Sequence, residues 1–120
     1  MSNNQARGER GEVLALKYLQ HRGLTMVEQN FRSRRGEIDL VMLDVDQLVF
    51  VEVRLRNNAL FGSAAESITR QKQLRVIQAA HYFLQSRSCW EGHACRFDVV
   101  AISEQPQPRI EWIRDAFQPT

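Results

Sequence analysis

Residues 36–56 read Gly36-Glu-Ile-Asp-Leu-Val-Met-Leu-Asp-Val-Asp-Gln-Leu-Val-Phe-Val-Glu-Val-Arg-Leu-Arg56, and this stretch decides the fold. It contains two extended runs, Glu37 to Leu43 and Leu48 to Arg56, in which polar side chains recur at alternate positions. Because successive side chains of a strand point to opposite faces, each run predicts a β-strand. The four residues from Asp44 to Gln47 are few enough for a hairpin turn. The sequence therefore predicts an antiparallel pair of central strands.

Alternation also assigns side chains to the two faces of each strand. In the second strand one face is apolar and the other carries Glu52, Arg54 and Arg56 beside Phe50. In the first strand, strict alternation places Ile38 with Leu40 and Met42 on one face, and Asp39 on the other.

The register of the hairpin predicts which side chains oppose one another. A turn centred on Val45-Asp46 places Asp39 opposite Glu52, and Glu37 opposite Arg54. Opposed side chains of an antiparallel pair have Cβ atoms about 4.5–5.5 Å apart. Two carboxylates at that distance repel each other unless a cation lies between them, as in hard-cation sites for Mg²⁺ or Mn²⁺.

Two alternatives to a metal site remain open at this point. Glu37 and Arg54 can form a cross-strand ion pair, while Asp39 and Glu52 lie on a solvated face without a ligand. A three-residue connection would also shift the register by one residue, which would separate the two carboxylates.

The rest of the chain predicts an α/β protein in a single domain of residues 1–120, with residues 1–7 as a loose tail. The order α-β-β-β-α-β-β describes a mixed sheet flanked by helices. Loops are expected at Ala59–Ser63 and Gln105–Pro108. The remaining elements are two helices, about Glu9–His21 and Ala65–Gln85, and three strands, about Thr25–Phe31, Cys95–Ile102 and Arg109–Arg114.

Each helix carries a charged residue on its apolar side. Glu12 projects into the apolar arc of the first helix, and Lys72 falls in the middle of the buried stripe of the second. A carboxylate in such a position must be paired, protonated or bound to a ligand. The alternative for Glu12 is a first-turn residue that the helix dipole favours, and for Lys72 a side chain that extends out to solvent.

Carboxylates that hold a divalent ion, together with cations that hold phosphate, are the groups needed for metal-assisted phosphodiester hydrolysis. The sequence predicts Glu12, Asp39 and Glu52 as metal ligands, and Asp39, Glu52, Arg54 and Lys72 as catalytic residues. The basic residues predicted to contact nucleic acid are Arg32, Arg34, Arg35 and Arg56.

Several short motifs resemble those of the YraN family of bacterial proteins. They are Gly11-Glu12, Asn30-Phe-Arg32, Gly36-Glu-Ile-Asp-Leu40, Val49-Phe-Val-Glu-Val53, Phe61-Gly62, Lys72 and Arg96-Phe-Asp98. The resemblance runs from about Arg7 to Ile102. It implies a restriction-endonuclease-like fold, in the superfamily that includes archaeal Holliday-junction resolvases.

That superfamily has an Asp on one strand, Glu-x-Lys on the next and often a Glu on the first helix. By position, Asp39 and Glu52 then correspond to its metal ligands and Glu12 to the helical carboxylate. The chain departs from the pattern at Arg54, which occupies the place of the lysine. Arginine holds phosphate well but, with a pKa above about 12, transfers protons poorly. We therefore hypothesise that Lys72 supplies the missing group.

The expected function is a metal-dependent endonuclease acting on DNA, with branched or structured DNA as the substrate that the superfamily suggests. A nucleic-acid-binding domain that no longer cleaves and a protein-interaction scaffold are the alternatives. No apolar run approaches the roughly 18–20 residues that span a bilayer, and the N-terminus lacks the apolar stretch of a secretory signal. We thus expect a cytoplasmic protein without a membrane partner. A homodimer is compatible with coordinated cutting of two strands, which needs two sites.

Overall fold

The hairpin predicted from residues 36–56 lies at the centre of a five-stranded sheet in a computed structural model, which describes residues 3–58, 68–105 and 107–119. The sheet has the order β1-β2-β3-β4-β5; β3 and β4 are parallel, and the other neighbouring strands are antiparallel. The predicted α/β class and the element order are confirmed. The elements are α1 (Asn3–His21), β1 (Thr25–Ser33), β2 (Gly36–Asp44), β3 (Gln47–Asn58), α2 (Arg70–Ser86), a one-turn 3₁₀ helix (Ser88–Trp90), β4 (Cys95–Gln105) and β5 (Arg109–Phe117).

The two helices cover opposite faces of this sheet. On one face, Ala15 and Leu19 of α1 pack against a cluster of β-strand residues that includes Val49 and Val51. On the other face, Phe83 of α2 meets Phe50 edge-on, with ring centroids 5.8 Å apart. Because side chains alternate between the two faces, Glu52 lies on the same face of β3 as Phe50, which is the face under α2. No helix of the described residues is long and apolar enough to span a bilayer.

The helix boundaries differ from those expected. Helix α1 begins at Asn3, so residues 3–7, expected in a loose tail, are helical. Helix α2 begins at Arg70, because the Thr69 side chain caps it by accepting a hydrogen bond from the backbone N–H of Lys72. Ile68, expected inside the helix, precedes it and is buried. The loop expected at Ala59–Ser63, and residues 64–67, lie outside the described residues.

Strand β4 is longer than expected and ends at Gln105, the first residue of the loop predicted at residues 105–108. Residue 106 lies outside the described residues. The other strands also exceed their predicted lengths at one or both ends, because backbone pairing continues beyond the runs of alternating side chains.

The alternation predicted for β2 is wrong at one point. Ile38 packs in the cluster under α2, whereas Leu40 packs in the cluster under α1. The side chains of β2 therefore switch from one face of the sheet to the other at Asp39. Asp39 lies between two residues that pair with β1, Ile38 with Phe31 and Leu40 with Gln29. The β1 residue between those pairs is Asn30, whose φ of 56° lies in the left-handed region. The irregular backbone on both strands releases Asp39 from the regular pleat.

The turn between β1 and β2 lies directly against α2. A Cβ atom on Gly36 would overlap the backbone carbonyl of Arg75, and would also contact the Arg75 side chain. Only glycine allows so close an approach of two backbones. The close contact fixes the position of the Arg34–Arg35 turn beside α2.

A second polar group is buried at the opposite face of the sheet. Asp98 of β4 is fully buried and accepts hydrogen bonds from Arg96 Nε at 3.0 Å, Trp112 Nε1 at 2.9 Å and the backbone N–H of Asp115 at 2.9 Å. The β4–β5 register shifts here, and Asp115 has a φ of 53°. Asp98 therefore stabilises an irregular strand pairing, and Arg96 is also held by Asp44 at 2.9 Å.

Candidate active site

The hairpin register agrees with the predicted turn at Val45-Asp46. The β2–β3 pairing extends from Asp44–Gln47 to Leu40–Val51, and one step further along it Asp39 falls opposite Glu52. At this step the two strands separate. The Oδ2 atom of Asp39 accepts a hydrogen bond from the backbone N–H of Val53 at 2.8 Å. Asp39 is thus anchored on β3 beside Glu52.

Glu37 lies outside the carboxylate pair, although its charge adds to the effect of burial in raising the pKa of Asp39. The Glu37 carboxylate lies 3.5 Å from Nε of Arg32, the residue that faces it on β1, and both side chains are more than half exposed. The cross-strand ion pair considered between Glu37 and Arg54 is replaced by this pairing.

Glu52 is buried under α2, with 4% of its surface exposed. Its Oε1 atom lies 3.6 Å from Nζ of Lys72. The pKa of Glu52 is raised to about 8, mainly by burial and then by the charge of Asp39. The charges of Lys72 and Arg54 act in the opposite direction. Lys72 is too distant and too exposed for a full neutralising pair, since a third of its side chain reaches solvent.

Asp39 shows the same imbalance. Burial raises its pKa above the ordinary value, although the hydrogen bond from Val53 and the charge of Lys72 act in the opposite direction. Two buried carboxylates side by side favour sharing one proton over carrying two negative charges. A bound cation would remove this conflict, which is the electrostatic signature expected of a ligand site.

Glu12 approaches Asp39 from the α1 side. It is half-buried, and its pKa is raised first by burial and then by the charge of Asp39. The Asn30 side chain hydrogen-bonds to Glu12 and lowers the pKa, as does the charge of Arg32. Glu12 and Glu52 therefore both interact with Asp39, one from each side of the sheet.

The predicted ligand set of three carboxylates is not assembled into one cluster. In the three described ranges, no group of three or more His, Cys, Asp and Glu side chains is arranged to hold a metal ion. Asp39 and Glu52 interact with each other beside Val53 of β3. The role of Glu12 as a metal ligand stays a prediction.

The cations predicted from the sequence occupy different places. Arg54 is half-buried near the carboxylate pair, and its Nε atom is buried without a hydrogen-bond partner within the described chain. Arg34 and Arg35 are exposed in the β1–β2 turn. Arg32 is engaged by Glu37, and Arg56 lies half-buried farther along β3.

Sequence reasoning assigned no role to Asn30, although the residue belongs to a motif on which the family resemblance rests. Asn30 adopts a left-handed conformation, faces Asp39 across the strand pair and hydrogen-bonds to Glu12. Asparagine tolerates this conformation better than most residues. An Asn inside an otherwise extended run was therefore the available signal for a strand irregularity.

Comparison with known proteins agrees with the motifs. Residues 11–102 match the model of the uncharacterised protein family UPF0102. The chain belongs to this family. UPF0102 is the YraN family, so the resemblance stated from the motifs is confirmed.

Two UPF0102 relatives illustrate the extent of the match. One, from Ectopseudomonas mendocina (strain ymp), is 47% identical over 117 residues that cover 98% of each chain. Another, from Stutzerimonas stutzeri (strain A1501), is 49% identical over 119 residues, covering 98% of this chain and 99% of the relative. The UPF0102 names carry no activity, so function must be argued from the site.

Proposed function

We propose that this UPF0102 protein is a divalent-metal-dependent endonuclease that hydrolyses phosphodiester bonds in DNA. The observation that carries the proposal is the pair of the half-buried Asp39 and the buried Glu52, whose pKa values are both raised. Such a pair is destabilising unless a cation joins it. Branched or structured DNA is the proposed substrate, by analogy with the superfamily that the motifs resemble.

The donor set fits Mg²⁺ or Mn²⁺. Mg²⁺ in phosphoryl-transfer sites is usually bound through one or two protein carboxylates, waters and substrate phosphates, rather than by a complete protein cage. Asp39 and Glu52 would hold the ion. Glu12, which interacts with Asp39, would lie on the far side of Asp39 from Glu52. A bound ion of this kind polarises the phosphoryl oxygen and activates water for attack.

The residues around the pair have separate roles in this proposal. The buried Nε atom of Arg54 lacks a hydrogen-bond partner in the described chain, and a phosphate oxygen of the substrate would satisfy it. Arg54 cannot readily give up a proton, because its pKa stays above about 12. Lys72, with Nζ 3.6 Å from Glu52, is the group we propose for donating a proton to the leaving oxygen.

A second candidate function is a nucleic-acid-binding domain that does not cleave. The arginine at position 54, where the resembled pattern has lysine, favours it, and so does the incomplete cluster of carboxylates. A cytoplasmic location and a homodimer belong to the nuclease proposal. The chromosomal DNA of bacteria lies in the cytoplasm, and cutting two strands together needs two sites.

The test is cleavage of single-stranded, duplex, flapped and four-way-junction DNA in Mg²⁺ or Mn²⁺ by the purified protein. Glu52→Gln and Asp39→Asn are expected to reduce cleavage at least about 10³-fold, since each removes a ligand on which the metal chemistry depends. Lys72→Ala should lower the rate about 10²-fold or more if Lys72 transfers the proton.

Purification of all variants in parallel controls for contaminating nucleases. Cleavage that persists unchanged in Glu52→Gln and Asp39→Asn would contradict the proposal. Metal-dependent binding of DNA without any product would favour the non-cleaving domain. Full activity of Lys72→Ala would remove only the role of Lys72.

A further inference from the structure

Four arginines of the described residues form ion pairs with carboxylates, whereas three exposed arginines near the candidate site do not. Arg34, Arg35 and Arg75 are exposed, and none lies within 4.0 Å of a carboxylate of the described residues. The pairs that engage other arginines are Arg32–Glu37, Arg87–Glu28, Arg96–Asp44, Arg96–Asp98 and Arg109–Glu111.

The fold brings these three arginines together from distant positions in the sequence. Arg34 and Arg35 form the β1–β2 turn, and the next residue, Gly36, packs so closely on Arg75 that a Cβ there would overlap its backbone. We call Arg34, Arg35 and Arg75 the arginine rim. The three exposed side chains extend from two backbone segments that are held in direct contact.

The arginine rim lies next to the Asp39–Glu52 pair. On β2, Gly36 precedes Asp39 by three residues, which is about 10 Å of extended chain. On α2, Arg75 follows Lys72 by three residues, so the two share one side of the helix. The rim therefore lies within reach of phosphates that neighbour, along one DNA strand, a phosphate held at the pair.

We propose that the arginine rim binds backbone phosphates of the DNA strand whose neighbouring phosphodiester bond lies at Asp39 and Glu52. Arginine suits this task because its guanidinium group makes bidentate hydrogen bonds to phosphate. The assignment of DNA as the partner rests on the proposed function. The rim adds Arg75, which sequence patterns did not indicate, and leaves out Arg32, which forms an ion pair with Glu37.

The experiment measures DNA binding in EDTA, so that cleavage plays no part in it. Fluorescence anisotropy of a labelled duplex and a labelled four-way junction gives the association constant at several salt concentrations. Each phosphate contact contributes about −0.7 to −0.9 to the slope of log K against log salt. The triple variant Arg34→Gln, Arg35→Gln, Arg75→Gln should bind with a slope less steep than wild type by about 2–3.

A matched control removes the same charge elsewhere, at the exposed residues Arg22, Arg109 and Arg114. This triple glutamine variant should keep the wild-type slope, and thermal melting checks that both variants fold. The proposed role of the arginine rim would be contradicted if the two triple variants had equal slopes of log K against log salt, or if wild type did not bind DNA.

The outcomes separate the rim from the nuclease proposal. Rim-dependent binding without cleavage by wild type would support the rim and contradict the nuclease. If cleavage needs Glu52, but the rim variant binds DNA with the same salt slope as wild type, the nuclease proposal is supported and the role of the arginine rim is contradicted.

Discussion

Asp98 and Glu52 are two buried carboxylates on neighbouring strands, and they differ in what surrounds them. Asp98 receives hydrogen bonds from Arg96, Trp112 and the Asp115 backbone, all at 2.9–3.2 Å. Glu52 is nearly as deeply buried, but among the described residues its only ion pair is with Lys72, at 3.6 Å. It also faces the like charge of Asp39.

The difference separates a charge that stabilises the fold from one that we propose binds a ligand. A buried carboxylate with a full set of donors stabilises the backbone around it, as Asp98 does at the irregular β4–β5 pairing. A buried carboxylate beside a second one is electrostatically incomplete, and its position is explained best by a ligand. Three predictions test this contrast.

The largest expected effect is on the free energy of unfolding. Asp98→Asn should lower it by about 3–5 kcal/mol, because asparagine has one acceptor oxygen fewer for the three buried donors at this site and leaves Arg96 with Asp44 as its remaining carboxylate partner. Glu52→Gln should not lower it at pH 7 and should instead raise it, because wild type must protonate Glu52 as it folds at that pH, whereas glutamine is neutral in both states. Urea denaturation of the metal-free proteins measures both. A loss from Glu52→Gln as large as that from Asp98→Asn would contradict the contrast.

The pH dependence of stability should come next in size. The folded pKa of Glu52 is about 8 against 4.5 for the ordinary group, so between these values the folded protein binds more protons than the unfolded chain. Stability from this group is therefore present below pH 4.5 and declines as the pH rises to about 8, by up to about 1.4 kcal/mol per pH unit.

Urea denaturation at several pH values measures this effect. The difference between wild type and Glu52→Gln isolates it from the other titrating groups. If the two proteins keep a constant difference from pH 5 to 8, Glu52 does not titrate in that window and the contrast with Asp98 is weakened.

The smallest expected effect is stabilisation by metal. At ten times its dissociation constant, Mg²⁺ should raise the free energy of unfolding of wild type by about 1.4 kcal/mol. The rise should vanish in Glu52→Gln and Asp39→Asn and persist in Asp98→Asn, the matched control. Thermal melting with NaCl of equal ionic strength measures it. The same rise in all four proteins would show that the ion acts elsewhere.

Much of the fold was predictable because local patterns carried it. The alternation in residues 36–56 and the short connection at Val45-Asp46 predicted the hairpin and its register, and the pairing observed at Leu40–Val51 agrees. Helix boundaries were less predictable. The start of α2 depends on the Thr69 cap, and α1 continues back to Asn3 without an apolar pattern.

The site was predictable residue by residue but not as an arrangement. Alternation placed Glu52 on the polar side of β3, and helical periodicity placed Lys72 on the inner side of α2; the structure brings their charges to 3.6 Å. Alternation failed at Asp39, because the left-handed Asn30 changes the face of the strands there. No pattern in the sequence linked Arg75 to Arg34 and Arg35.

The sequence by itself determined the element order, the hairpin register and the kinds of side chain available for chemistry, because these depend on residues close together along the chain. Tertiary structure alone decided which charges are satisfied. Burial, the approach of Gly36 to Arg75 and the meeting of Glu52 with Asp39 depend on contacts between distant segments. Electrostatic energy depends on distance and solvent exposure, and both are set only when the sheet and its two helices pack together.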